Sequence, residues 1–330
     1  MSGPRVLYIG GTGRSGSTVL DSLLGCFPGV FSGGELAFLW QYGLVAHGKC
    51  SCGAPLESCP FWAEVLGRVS STVAVDAERM VELRRRFRSA HLPLMFSRSF
   101  CERKLDALEE FPSVVELVYR SLADSSGATL IVDSSKEPHY SYILRERTGL
   151  PVYFLHLVRD PRAVGMSWRR SRTERGLDGG VQMERRGTLK SSLYYNVSNT
   201  AAELLWKKNS HYAFMRYEDF VDRPHEAVRR IGEFVGMELA VDDVLDAHRS
   251  FERVGQHSAW GNPNRFEHGR TTLRADEAWV DGLSRGRQFV LSACTAPLVH
   301  RYGYSFGTKR QSNRLPIASL RTNQIAEPRA

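Results

Sequence analysis

The stretch Gly10-Gly-Thr-Gly-Arg-Ser-Gly-Ser-Thr18 constrains this chain more than any other. It follows a short apolar run, Arg5–Ile9, and precedes a helical pattern over Thr18–Phe27 that Pro28-Gly29 brings to a stop. A strand, a glycine-rich turn and a helix start together make an anion cradle. Small residues let backbone amides approach a phosphate, and the helix dipole favours its negative charge. Such a turn needs a strand before it and a helix after it, which commits the chain to an α/β fold.

The rest of the sequence repeats that alternation. Further strands are expected at Val30–Ser32, Thr129–Asp133, Val152–Val158 and Tyr212–Arg216, with helices at His139–Arg147, Arg162–Arg172 and Pro224–Val235. A long, mainly helical excursion from Leu36 to Ser126 separates the second strand from the third. No internal repeat or interdomain linker is visible. The expected organisation is one domain over 1–306 with a helical insertion at 36–126. The remaining 307–330 carry five basic residues against one acidic and no apolar periodicity, the pattern of a disordered tail.

That tail holds half of the net charge of +8. The remainder, thinly spread, suits a basic pocket for a small anion better than a nucleic-acid face, so no nucleic-acid partner is expected. Mean hydropathy is −0.30, and no apolar run approaches the roughly eighteen residues of a membrane span. The first residues lack a secretory pattern, and six cysteines are too few for a disulfide scaffold, so a cytoplasmic setting is expected.

Fine spacing narrows what the turn can bind. Gly11 and Gly16 have the separation of a nucleoside-triphosphatase loop and Thr18 takes its hydroxyl place, but Ser17 stands where that loop needs Lys. Gly11-x-Gly13-x-x-Gly16 also fits the dinucleotide fingerprint, with Glu35 near the acidic position that would read a ribose. An NAD(P)-dependent oxidoreductase is therefore one alternative, and a non-catalytic nucleotide-binding module another. The third reading rests on a cation within the loop and a hydroxyl pair at the helix start, Arg14-Ser15-Gly16-Ser17-Thr18.

A second motif bears on the choice. The strand Val152–Val158 runs into Arg159-Asp-Pro161, where Asp160 can cap a helix whose first position is Pro161, and Ser167 follows on that helix. An Arg at the strand end and a Ser on the next helix can grip one phosphate from two sides.

With these two motifs the chain resembles the sulfotransferases that use 3′-phosphoadenosine 5′-phosphosulfate. Their 5′-phosphosulfate loop reads basic residue, Ser, Gly, Ser/Thr, Thr, and their 3′-phosphate site reads strand, Arg-Asp/Asn-Pro, then Ser. Arg in place of the loop Lys is similar to the tyrosylprotein, carbohydrate and bacterial branches. The resemblance implies a three-layer, P-loop-like α/β fold with a central parallel sheet. It also implies that Arg14, Ser15, Gly16, Ser17 and Thr18 hold the 5′ side of the donor. Arg159 and Ser167 would hold the 3′-phosphate. Tyr217, in Phe214-Met-Arg-Tyr-Glu-Asp-Phe220, would lie near the adenine. The loop Gly261-Asn-Pro-Asn-Arg265, with Asp276 and Trp279 after it, is similar to a late nucleotide-covering segment, which implies Arg265 as a further phosphate contact.

Sulfuryl transfer needs an acceptor deprotonated as it attacks, cations where the leaving phosphate gains charge, and alignment of the two. Fixed cations can serve, so no metal is expected to be required. Arg14 is the expected leaving-group cation, with Lys136, in Asp133-Ser-Ser-Lys136, reaching the same crevice at a strand end. Glu35, on the glycine-flanked turn Ser32-Gly-Gly-Glu-Leu36, is the expected general base, and its place resembles that of the catalytic Glu in the tyrosylprotein and bacterial carbohydrate enzymes. His139 is the alternative base. The acceptor is expected to be a small molecule or glycan. Two polar stretches, Ser171–Lys190 and His257–Thr272, read as a mobile lid and a ligand-holding loop. His47, Cys50, Cys52 and Cys59 could supply four zinc ligands, but Cys-x-Cys is shorter than the usual knuckle, so free thiols lining the insertion are expected, with zinc or a disulfide as the alternatives.

Overall fold

The computed structural model describes residues 3–306 except 96 and 178, so the expected tail at 307–330 lies outside the described residues. Five strands, β1 (Arg5–Gly10), β2 (Val30–Ser32), β3 (Leu130–Lys136), β4 (Val152–Val158) and β5 (Tyr212–Arg216), form the central sheet. Their order is β2-β3-β1-β4-β5, and every neighbouring pair is parallel. All five strands therefore end at one edge. In dinucleotide-binding sheets the second strand lies beside the first, in the order 3-2-1-4-5-6. Here β3 sits between β1 and β2, so the acidic residue after β2 is not where a ribose reader would stand.

Side chains along β1 alternate between the two faces, both of them covered, which is why the strand reads as a continuous apolar run. Val6 and Tyr8 join a core made with the insertion, through Trp62, Val65, Tyr119 and Leu122. Leu7 and Ile9 join the opposite core with Leu20, Leu23 and Ile231. The first layer is supplied by α2 (Pro60–Thr72), α3 (Ala77–Arg85), α4 (Arg98–Asp106), α5 (Phe111–Ser126) and α6 (Pro138–Arg147). The second layer is α1 (Ser17–Leu24) together with Tyr217–Asp222 and Pro224–Val235. The segment 36–126 thus packs as a layer of the main body, sharing its core with the sheet. No helix among the described residues is long and apolar enough to cross a membrane.

Two boundaries differ from expectation for physical reasons. β3 runs on through Ser134-Ser135-Lys136, because those polar side chains bond inside the core. Ser134 Oγ donates to Asp21 Oδ2 at 2.7 Å, and the Ser135 N–H donates to Asp133 Oδ1 at 2.8 Å. The helix after β4, α7 (Pro161–Arg169), stops short of Arg172 because Arg170 is extended and leads into a small antiparallel ribbon, Thr173–Glu174 with Val181–Gln182. Its start is as expected: Asp160 accepts from the Arg162 N–H at 2.9 Å, with Pro161 in the first turn.

At the end of β1 the sheet tolerates no side chain. A Cβ on Gly10 would stand 2.0 Å from Cζ of Phe154. That ring is fully buried and stacks on Trp206 with centroids 4.9 Å apart. Gly10→Ala is therefore expected to destabilise by about 1–3 kcal/mol through overpacking. Phe154→Leu should recover part of that loss in the double variant, although it destabilises alone. A double-mutant cycle by urea unfolding measures the coupling, and strict additivity would contradict the close approach.

Candidate functional site

The β1–α1 turn brings the chain back over the sheet edge in a conformation that side chains resist. Gly11, Arg14 and Gly16 all have positive φ, at 120°, 70° and 92°. Gly16 caps α1 without any side-chain bond to the first-turn amides. A Cβ there would fall 2.2 Å from Cδ2 of Tyr217. Asp21, one turn into α1, is pinned by Ser32 Oγ at 2.5 Å and Ser134 Oγ at 2.7 Å, which fixes the helix start against the ends of β2 and β3.

A crevice of about 430 Å³ opens beside this turn. Arg14, Gly16, Ser17 and Thr18 line it from the loop, Glu35 from beyond β2, and Lys136 from the end of β3. Arg159 and Ser167 line it from either end of the β4–α7 unit, and Tyr217 from beyond β5. These expected residues come together because every strand of a parallel sheet ends on the same side. Ser15 is completely buried beneath them.

The cations of the crevice are incompletely satisfied. Arg14 has its guanidinium 4.9 Å from the Trp168 ring centroid, and its Nη1 is buried without a hydrogen-bond partner. Burial, with Arg172 nearby, pushes its pKa down to about 10, and Glu35 offsets this only in part. Arg159 pairs with Asp276 at 2.8 Å, donates to the Arg14 carbonyl at 3.3 Å and lies 4.6 Å from the Tyr217 ring centroid. Burial raises the Asp276 carboxyl, but the Arg159 guanidinium outweighs it and holds the group below its ordinary range. Arg159 Nε, Ser15 Oγ and Trp168 Nε1 are likewise buried without partners. Buried polar groups are bonded in the great majority of cases, so these donors, orphaned among the described residues, could hold an anionic ligand.

Glu35 and Lys136 form the opposite wall. Lys136 Nζ donates to Glu35 Oε1 at 2.6 Å and also to the Ser134 carbonyl, and both charged side chains are largely buried. The Glu35 turn is strapped from outside by the late loop. The Glu35 N–H donates to the Trp260 carbonyl at 2.8 Å, and the Ala259 N–H to the Gly33 carbonyl at 3.0 Å. Trp260 stacks on Tyr42 with centroids 4.5 Å apart, and Phe38 completes an aromatic flank next to Glu35.

Arg265 stands apart from the other expected donor contacts. It lines a small neighbouring cleft, apart from the crevice that holds Arg159 and Ser167. Its guanidinium pairs with Glu174 at 3.2 Å, donates to the Gly261 carbonyl at 2.5 Å and packs on Phe266, with 4% of the side chain exposed. It thus fastens the ribbon to the late loop and does not join Arg159 and Ser167 in lining the crevice. His139 is buried behind the crevice, 3.2 Å from Glu137. The stretch Ser171–Lys190 lies over the opening, supplying Arg172, Leu177 and Met183 to the lining. Arg172 donates to two amide oxygens there, Asn264 Oδ1 at 3.2 Å and Asn262 Oδ1 at 3.4 Å, and makes no ion pair among the described residues.

Sequence reasoning missed Trp168 and Tyr194, whose rings meet edge to face 5.8 Å apart on the crevice wall. Their helical spacing looks like ordinary core. It also missed His257, whose Nδ1 stands 3.2 Å from Cys59 Sγ, while His47 turns outward to Glu57 with 76% of its side chain exposed. A second cavity, of about 380 Å³, lies beyond Tyr217 and Asp276. Two ion pairs stand in its wall, Arg162 with Asp160 and Arg216 with Asp219, both at 2.7 Å.

The sequence matches the profile of the Sulfotransferase family over residues 6–243. No curated protein matches it by sequence. Among solved structures, it is similar to the sulfotransferase domain from the curacin biosynthetic pathway, at 17% identity and a TM-score of 0.53, covering 92% of this chain and 98% of that one. It is also similar to the sulfotransferase domain from the Synechococcus PCC 7002 olefin synthase, at 18% identity and a TM-score of 0.53, covering 92% and 97%. At these identities the likeness is one of fold.

The buried Arg265–Glu174 pair makes the structural role of Arg265 testable. Arg265→Ala leaves the Glu174 carboxylate buried and uncompensated, and should cost about 3–5 kcal/mol of stability. Replacing both partners, Arg265→Met with Glu174→Gln, should restore most of it. Thermal unfolding decides the point; an unchanged Tm in Arg265→Ala would contradict the structural role.

Proposed function

This chain belongs to the sulfotransferase family, and from that premise we propose that it moves a sulfuryl group from 3′-phosphoadenosine 5′-phosphosulfate to an acceptor hydroxyl. The observation that carries the reading is the set of buried, partnerless donors, Arg14 Nη1, Ser15 Oγ and Arg159 Nε, gathered at a glycine-capped helix start. An anion with phosphate groups at both ends would satisfy them together. Arg159 and Ser167 would hold the 3′-phosphate, and Arg14 with the Ser15–Thr18 backbone the 5′ side. Tyr217 borders the same space and would flank the adenine.

The bound donor supplies a sulfuryl group activated by a phosphate leaving group. The protein supplies charge and a base. Arg14 keeps its proton at neutral pH even with its pKa near about 10, so it can hold the charge that develops on the leaving phosphate. Lys136 adds a second positive charge and takes Glu35 Oε1. Oε2 of Glu35 is then left to accept the proton of the attacking hydroxyl. The aromatic flank of Phe38, Tyr42 and Trp260 suits the flat face of a sugar or an aromatic natural product, or the chain of a lipid.

Two measurements test this separately. Charge-assisted hydrogen bonds contribute about 1.5–3 kcal/mol each. Adenosine 3′,5′-bisphosphate should therefore bind at least about tenfold more tightly than adenosine 5′-phosphate, and Arg159→Ala should erase most of that gap. Calorimetry reporting equal affinities, or tighter binding of NADP, would overturn the donor assignment. For the base, Glu35→Gln should leave bisphosphate affinity nearly unchanged while lowering turnover by about a hundredfold or more. Turnover near that of the wild type in a folded Glu35→Gln protein would remove Glu35 from the reaction. A chain that binds the bisphosphate but turns over no acceptor would be a binding module.

A further inference from the structure

Away from the crevice, three cysteines and a histidine from distant parts of the chain meet. Cys50, Cys52 and Cys59 are unbridged, and with His257 they place four ligand atoms all within 4.8 Å of one another. Cys59 Sγ lies 3.2 Å and Cys50 Sγ 3.6 Å from His257 Nδ1, and Cys52 Sγ is 3.7 Å from Cys59 Sγ. A tetrahedral zinc with Zn–S near 2.3 Å and Zn–N near 2.0 Å sets its ligand atoms about 3.5–3.8 Å apart. These three separations stand within a few tenths of an ångström of such a site.

The surroundings hold these ligands ready. Cys50 and Cys52 sit on a tight turn closed by Gly53, whose φ is 93° and whose N–H donates to the Cys50 carbonyl at 2.9 Å. Cys59 stands at the N-cap of α2, whose first turn fixes its backbone. His257 is oriented from two sides: Trp62 Nε1 donates to its carbonyl at 2.7 Å, and Phe61 stacks on its ring at 5.0 Å. Ser51, between the two cysteines, donates to the Gln256 carbonyl at 2.5 Å and accepts from the Ser258 N–H at 2.9 Å.

We propose that Cys50, Cys52, Cys59 and His257 form a structural zinc site that fastens the insertion to the late loop. Three thiolates, a neutral imidazole and a divalent ion give a closed site of net charge −1, and the thiols release their protons on binding. Four protein ligands leave no open position, and none of the four lines the crevice. The metal acts instead through the strap, because the residues after His257 are those whose backbone bonds hold the Glu35 turn, Ala259 to Gly33 and Trp260 to Glu35. Clipping positions 207 residues apart closes a very long loop.

The test does not depend on the sulfotransferase reading, since its readout is metal. Full-length untagged protein, prepared under reducing conditions without chelator, should carry about one zinc per chain by elemental analysis. Exchange for cobalt(II) should give thiolate charge-transfer bands and the intense visible bands of a tetrahedral site. Chelation should lower Tm. Cys52→Ser, at an exposed position, and His257→Ala should each lose most of the zinc, whereas Cys294→Ser should keep it. Wild-type protein that takes up less than about a tenth of an equivalent after incubation with zinc overturns the proposal. So does a mass that reveals a disulfide among the three cysteines, or full zinc retention by both ligand variants.

Discussion

The fold and its crevice depend on one close approach, the β1–α1 turn lying directly on its neighbours with no side chain between. Gly10 passes against Phe154 and Gly16 against Tyr217. Tyr217 in turn carries the Arg159 guanidinium on its ring, and Arg159 donates back to the Arg14 carbonyl within the turn. The contacts therefore run in a circle from β1 through β4 and β5 and back. A parallel sheet makes this circle possible, since β3, β1, β4 and β5 all end on the side where the turn closes.

Charge is distributed unevenly around that circle. Glu35 is paired with Lys136, Glu174 with Arg265, and Glu184 with Arg186 and Lys190. With Glu137 paired to Arg84 as well, every carboxylate lining the crevice has another partner, and among the described residues Arg14 and Arg172 have no ion pair. Buried guanidinium N–H groups left unbonded among the described residues suit the proposed anion, and burial lowers the pKa of Arg14. The zinc proposal complements this picture. The side of the crevice that bears Glu35, the proposed base, is a loop turn and not a strand, and it is tied to a strap whose far end carries Cys50, Cys52, Cys59 and His257.

Much of this was legible in the sequence because the signals were local. The bounds of β4, β5 and the helix Pro224–Val235 follow from apolar runs bounded by Pro and Gly. The loop spacing and the Arg159–Ser167 interval place the two halves of the crevice. What escaped was non-local. The end of β3 looks like a polar turn because its bonding partners, Asp21 among them, belong to another element. Arg265 sits in a loop rich in hydrogen-bonding residues, and nothing nearby in sequence announces Glu174, 91 residues earlier, as its partner. His257 is hidden in the same way, while His47 is close to the cysteines in sequence and remote from them in function. Spacing reports which side chains can meet on one element; it is silent on which distant carboxylate or thiol is already waiting.

The most direct test of the account is transfer itself. Radiolabelled 3′-phosphoadenosine 5′-phosphosulfate would be incubated with the protein and a panel of sugar, lipid and phenolic alcohols, following both the label and the released nucleotide. The account predicts label in an acceptor and an equimolar release of adenosine 3′,5′-bisphosphate, both abolished in Arg14→Ala. A donor left unbound and unconsumed by the wild-type chain would contradict it.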